Sequence, residues 1–230
     1  MKVVITGASR GIGRSIAKAF NQEGNQLVLL ARREEQLLSL AETLNAQNKN
    51  SKIEVLAIDL SIPDQIHALK SNPLFQDPID LLINNLGRYE ENFPDQNKVD
   101  ELKKLMETNV YSAIELTEIL LPKIRKSKQA QIVNIGSVMS VHAKTEASNY
   151  SISKHALKAW NDALREKLRR ENIKVTAIYP GAVNTSSWDG LKAKRSDMIQ
   201  AEDIAKLIET LSCLNRSSLV EEIHLSPLLF

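Results

Sequence analysis

The sequence predicts an α/β fold: a parallel sheet covered by helices on both faces, in three layers. Three observations carry that prediction. Short apolar runs alternate with longer helical patterns along the 230 residues. Most of those runs are almost continuously apolar, as strands buried on both faces should be. The first run leads into a glycine-rich turn that opens a helix, which is how a βαβ unit begins. No internal repeat, low-complexity tract or long linker breaks the rhythm, so residues 1–230 are read as a single domain.

In chain order, strands are expected over residues 3–5, 27–30, 53–58, 81–83, 132–135, 175–178 and 223–225. Helices are expected from near Gly11, over 34–46, from near Pro63, and over 99–123, 147–171 and 201–214. Pro63 suits a first helical turn and Gly24 a helix stop. The charged residues 32–36 open a solvated helix. The basic cluster 123–128 sits near a helix end, where the macrodipole favours cations. The least regular stretches are 88–98 and 184–200. They follow the fourth and sixth strands, on the side where open α/β sheets bind ligands.

Composition excludes several classes. Apolar residues make up 43% and charged residues 25%, the balance of a water-soluble globular chain. The net charge of +2 is too small to argue for nucleic acid, and no aromatics interleave with the basic cluster. Apolar runs fall far short of the ~18 residues of a membrane span. The chain enters a strand at Val3, which leaves no room for a signal peptide. A single cysteine, Cys213, rules out an intrachain disulfide and a multi-cysteine metal site. These features suit the cytoplasm. His67, His142, His155 and His224 lack metal-ligand spacing, so no metal is expected. No Gly-x-Ser-x-Gly elbow marks a serine hydrolase.

The segment "VVITGASRGIGRSIAKAF" runs strand, turn, helix. Gly7 can take a positive φ and end the strand sharply. Gly11 lets a pyrophosphate approach the backbone, and Gly13 lets the helix pack on the sheet. The helix start offers free N–H groups to phosphates. The Gly-x-x-x-Gly-x-Gly spacing lacks the Gly-Lys-Ser/Thr ending of a nucleoside triphosphate loop. The second strand ends "VLLARREE". Ala31 stands where an acid would meet a free ribose 2′-OH, and Arg32 and Arg33 follow, with Arg10 in the turn. Guanidiniums there match a 2′-phosphate, so NADP(H) is expected over NAD(H).

Together "TGASRGIG", "NNLG", "NIGS" and "YSISK" resemble the classical short-chain dehydrogenase/reductase family, from residue 2 to about 225. The resemblance implies a Rossmann-type doubly wound parallel sheet of about seven strands in the order 3-2-1-4-5-6-7. It implies that Thr6, Gly7, Ser9, Arg10, Gly11, Ile12 and Gly13 hold the cofactor phosphates. Asp59 and Leu60, in "AIDLS", would meet the adenine edge. Asn84 and Gly87 would stabilise the sheet and line the adenosine ribose. Pro180, Gly181, Val183 and Thr185 would fix the nicotinamide. The catalytic set would be Asn109, Ser137, Tyr150 and Lys154, with Tyr150 and Lys154 also touching the cofactor. Ser137 precedes Tyr150 by 13 residues, the family spacing. The sequence departs from the family pattern at Leu86, where Ala is usual, and at Gly136, where Ser is frequent. Both are read as packing variations. A third departure is the short segment after Thr185, which leaves substrate choice open.

The resemblance implies hydride exchange between nicotinamide and a carbonyl/secondary alcohol pair. A Tyr phenol has a pKa of ~10, and a nearby ammonium favours the phenolate. Lowering it by ~3 units takes roughly 4 kcal/mol, which Lys154 together with oxidised nicotinamide could supply. Ser137 would polarise the carbonyl. Asn109 would position a water that returns the proton through Lys154. Two other readings stand beside this one: a dinucleotide-binding regulator without turnover, and an epimerase or dehydratase. The intact Ser137, Tyr150 and Lys154 weigh against the first. His142, Tyr89 and Trp188 are candidate pocket residues, and Trp160 is read as helix packing. Small-molecule substrates and no nucleic acid or membrane partner are expected. The helices over 99–123 and 147–171, with the apolar end "SPLLF", suggest a homodimer or homotetramer.

Overall fold

The computed structural model describes residues 1–96, 98–190 and 194–229. Its main sheet has seven parallel strands: β1 (Lys2–Thr6), β2 (Gln26–Ala31), β3 (Lys52–Ala57), β4 (Leu81–Asn84), β5 (Gln131–Ile135), β6 (Lys174–Pro180) and a last strand, Glu222–Leu225. Two further strands, β7 (Val183–Asn184) and β8 (Ile199–Gln200), precede that last strand, which is therefore β9. The order across the sheet is β3-β2-β1-β4-β5-β6-β9, the order the family resemblance implied.

β1, β4 and β5 are wholly buried, and β2 and β6 nearly so. β3 and β9 are partly exposed because each has a strand on one side only. Successive side chains along a strand point to opposite faces. Val3 and Ile5 thus pack with Ile16, Leu37 and Ile208 on one face. Val4 packs with Leu116, Leu120 and Leu168 on the other. The first layer is built from α1 (Gly11–Ala19), α2 (Glu34–Gln47) and the C-terminal helix Ala201–Cys213. The second comes from α3 (Pro63–His67), α4 (Val99–Met106), α5 (Ser112–Ile124) and α6 (Ser148–Arg169). The helix over 201–213 is accordingly α7.

Three expectations need correction. The helix read over 99–123 is interrupted by a wider π turn at Glu107–Tyr111, between α4 and α5. Gly24 does not stop a helix. α1 ends at Ala19, and Gly24 sits at φ +79° in the turn before β2. The irregular stretch after β6 contains a two-stranded parallel ladder, Val183↔Ile199 and Asn184↔Gln200. Parts of 88–98 and 184–200, and the last residue of "SPLLF", lie outside the described residues. No helix among the described residues is long and apolar enough to cross a membrane.

Candidate active site

The glycine turn joins β1 to α1. Gly7 and Gly11 adopt φ +64° and +52°, conformations that glycine reaches without a Cβ penalty. Gly13 is constrained by space instead. A Cβ there would lie 2.3 Å from the Gly7 carbonyl oxygen and 2.7 Å from Asn85 Nδ2. Asn85 braces the turn, donating from Nδ2 to the Thr6 carbonyl at 2.9 Å. The backbone N–H groups of Asn85 and Leu86 both donate to Thr6 Oγ1 at 2.9 Å. Thr6 is therefore buried, and its hydroxyl is committed to tying β1 to β4.

A cleft of about 460 Å³ opens above this turn. Gly7, Ser9, Arg10, Gly11 and Ile12 form its floor. Arg32, Arg33, Leu60, Gly87 and Thr185 stand around it. Thr185 closes on the turn, since a Cβ on Gly11 would come 3.1 Å from its methyl carbon. Asn85, Leu86, Tyr89 and Ser186 also line the cleft.

Several expected cofactor residues are not in that wall. Asn84 is buried and donates to Thr117 Oγ1 at 3.0 Å and to Asn134 Oδ1 at 2.8 Å. Asn134 passes the row on to Asn161 at 2.8 Å, so the amides bind β4 and β5 to α5 and α6. Asp59 accepts from the Ser61 amide and hydroxyl at 2.9 and 2.7 Å and pairs with Arg32 at 3.8 Å. Burial works against its charge, but those Ser61 bonds and Arg32 hold its carboxyl below the usual range. Leu60 and Ser61 line the cleft in its place. Pro180 pairs with Leu225, Gly181 donates to the Leu225 carbonyl at 2.8 Å, and Val183 belongs to the small ladder.

Asn109, Ser137, Tyr150 and Lys154 come together beside the cleft. Tyr150 and Lys154 lie one turn apart on α6, with Lys154 Nζ 5.8 Å from the Tyr150 ring centre. Lys154 is 3% exposed and donates to the Ile135 carbonyl at 3.1 Å. Ser137, just past β5, accepts from the Met139 amide at 3.1 Å and stands near enough to the Tyr150 phenol to draw its pKa down. Asn109 occupies the π turn. Its Oδ1 accepts from the Arg88 N–H at 2.7 Å, while Nδ2 donates to the Arg88 carbonyl and to Ser153 Oγ, both at 3.0 Å. Ser112 Oγ, donating to the Thr108 carbonyl at 2.6 Å, satisfies a carbonyl in the widened turn. Gly87 abuts both groups. A Cβ there would sit 3.5 Å from Lys154 Nζ and 3.7 Å from Asn109 Oδ1.

The lowering expected of the Tyr150 pKa rests on Lys154 together with oxidised nicotinamide, and the protein's own groups alone do not produce it. Burial pushes the Tyr150 phenol up to about 12, against the pull of Ser137. Burial likewise pushes Lys154 down to about 8. Desolvation of the charged form is the main cause of both shifts. The Lys154 shift has a consequence for stability. Its folded pKa is depressed, so the stability it contributes is present above the unfolded value near 10.5 and is lost as pH falls through about 8. Lys154→Met removes that desolvation cost, at most about 3 kcal/mol at pH 7, but leaves the Ile135 carbonyl unpaired, so a smaller net stabilisation is expected. Thermal melts at pH 7 and pH 10 check this. The gain shrinks at pH 10, and an equal gain at both would refute it.

His142 is exposed and outside the cleft wall, whereas Tyr89 lines it. Trp160 packs against Val110, Ala113 and Leu157, and Trp188 lies in the short turn Ser186–Trp188, outside the cleft wall. Among the described residues, no group of three or more His, Cys, Asp or Glu could hold a metal.

A family model described as short chain dehydrogenase matches residues 1–196. The chain belongs to that family. Dehydrogenase/reductase SDR family member 7B of Mus musculus is 37% identical over 187 residues, 80% of this chain and 58% of that protein. The chain thus spans about three fifths of that relative's length. An uncharacterised oxidoreductase of Staphylococcus saprophyticus is 32% identical over 209 residues, 89% of this chain and 81% of that protein. Among solved structures, a short-chain dehydrogenase from Sphingobium yanoikuyae in complex with NADPH has a TM-score of 0.82 at 28% identity, covering 99% of this chain and 88% of that one. A metagenomic short-chain oxidoreductase in complex with NADP has a TM-score of 0.85 at 28% identity, covering 100% and 98%.

The two departures from the family motifs sit in defined local surroundings. A Cβ on Gly136 would lie 2.5 Å from the Tyr179 ring, which fills the space a serine side chain needs. Leu86 lines the cleft and packs on the core beneath it.

Proposed function

We propose that this chain is an NADP(H)-dependent oxidoreductase acting on a carbonyl/secondary alcohol pair. The observation that carries the reading is the meeting of Ser137, Tyr150 and Lys154 beside a cleft floored by the glycine turn. The cofactor fits that cleft. Gly7 and Gly11 bring backbone close to it, and Arg10, Arg32 and Arg33 line it, with Ala31 offering no competing acid. α1 carries no acidic residue in its first turn, so its N–H groups are free to meet phosphate. Ser186 lines the cleft with a hydroxyl that has no partner among the described residues. The NADP(H)-bound relatives at 28% identity support the same choice of cofactor.

When bound, the reduced nicotinamide supplies the hydride. Tyr150 keeps its proton at neutral pH and so stands ready as the acid toward a carbonyl oxygen. Ser137 donates a second hydrogen bond to that oxygen. The buried ammonium of Lys154 steadies the phenolate left after transfer, and its pKa near 8 lets it pass a proton on at neutral pH. Asn109 fixes the loop that carries Gly87 against Lys154. NADPH consumption over ketones, aldehydes, keto-esters and 3-oxoacyl thioesters tests the reading. Turnover on one class supports it, and none on any class would sink it.

Changing Arg32 and Arg33 together to Ala is expected to raise the Kd for NADPH about tenfold or more, with little change for NADH. Equal losses for both cofactors would contradict the 2′-phosphate role. We also read the chain as a homo-oligomer of the cytoplasm. Tyr111 and Ile152 are 47% and 44% exposed on the outer faces of the π turn and α6. A monomeric mass by light scattering at micromolar concentration would refute the oligomer.

A further inference from the structure

This inference rests on Tyr150 acting as the acid toward a carbonyl. Tyr89 follows β4, and its ring meets the Tyr150 ring edge to face, with centroids 5.1 Å apart and planes at 74°. Tyr89 lines the cleft, and Tyr150 stands against it. Tyr89 is 46% exposed yet firmly placed. Upstream, Asn109 clamps both the N–H and the carbonyl of Arg88. Downstream, the Asn92 N–H donates to the Glu146 carbonyl at 3.0 Å, and the Asn92 carbonyl accepts from the Ser148 N–H at 3.2 Å. Asn92 Oδ1 also accepts from the Asn149 N–H at 2.9 Å. The segments that position Tyr150 therefore position Tyr89 as well. Burial, with the Glu91 and Glu146 carboxylates nearby, keeps its phenol protonated, so the ring stays neutral.

We propose that Tyr89 is a specificity-determining residue, an aromatic wall beside Tyr150 that favours carbonyl substrates bearing an aryl group. A carbonyl oxygen bonded to Tyr150 brings its substituents against the Tyr89 ring. An aryl substituent gains an edge-to-face or offset contact beyond the area it buries, and a saturated ring of the same size gains area alone.

The test compares acetophenone with cyclohexyl methyl ketone, nearly equal in size, on the full chain with saturating NADPH. Wild type is expected to show a KM about fivefold lower for acetophenone. Tyr89→Leu brings the two KM values together, and Tyr89→Phe restores the gap. A purely structural Tyr89 would shift kcat for both ketones alike and leave their KM ratio intact. That result overturns the proposal, as does a wild-type enzyme that shows no aryl preference or reduces neither ketone. The underlying reading fails separately. Full turnover by Tyr150→Phe, or no carbonyl reduced in the wider panel, removes the acid role whatever Tyr89 does.

Discussion

Replacing Tyr150 with Phe is expected to lower kcat by about 10²–10⁴-fold while leaving the fold and the Kd for NADPH nearly unchanged. The ring survives in Phe, so the edge-to-face contact with Tyr89 survives as well. What is lost is the phenol proton that the proposed mechanism uses as its acid. Burial holds that proton on the phenol, with a pKa near 12. Neither neighbour replaces it. Lys154 Nζ is tied to the Ile135 carbonyl, and Ser137 has an alcohol proton of far higher pKa. NADPH binding by fluorescence, run beside steady-state turnover, separates the two effects. A variant that binds cofactor but turns over at the wild-type rate would remove Tyr150 from the chemistry.

Gly13→Ala is expected to cost about 3 kcal/mol and to lower Tm by roughly 6–12 °C. The added carbon would fall 2.3 Å from the Gly7 carbonyl oxygen and 2.9 Å from the Ala8 Cα. Both are backbone atoms of the turn that Asn85 and Thr6 hold in place, so no rotamer change relieves the clash. The turn must shift, and cofactor affinity falls with it. Gly24→Ala is the control. Gly24 has a left-handed φ of +79° but nothing within 4 Å of its Cβ position. Its penalty is conformational strain alone, about 1–2 kcal/mol. Equal melting temperatures for Gly13→Ala and wild type would show that the turn is softer than its packing suggests.

The strands were legible because strands buried on both faces must be apolar throughout, and their order came with the motifs. The glycine turn was legible because backbone geometry there demands glycine. The π turn was not, since residues 107–111 carry no helix-breaking signal. It forms where Asn109 reaches across to the Arg88 backbone, a contact 21 residues away in sequence. β7 and β8 are two residues each, too short for any periodicity to mark. Asn85 was missed beside Asn84, although a signal existed. Period-2 alternation puts Asn84 with Leu82 on the α5 side and Asn85 with Ile83 on the side of the glycine turn. The pairing of Tyr150 with Lys154 could be read from their spacing. How dry their surroundings are could not, and burial sets the pKa of both.

The central claim is that this chain moves a hydride between NADP(H) and a carbonyl carbon. It is tested most directly by supplying NADPH deuterated at the transferable C4 position with a ketone that the enzyme consumes, then weighing the alcohol by mass spectrometry. One deuterium on the carbinol carbon, absent with Tyr150→Phe, is the predicted result. An alcohol formed without the label, or NADPH bound with no carbonyl ever reduced, would contradict it.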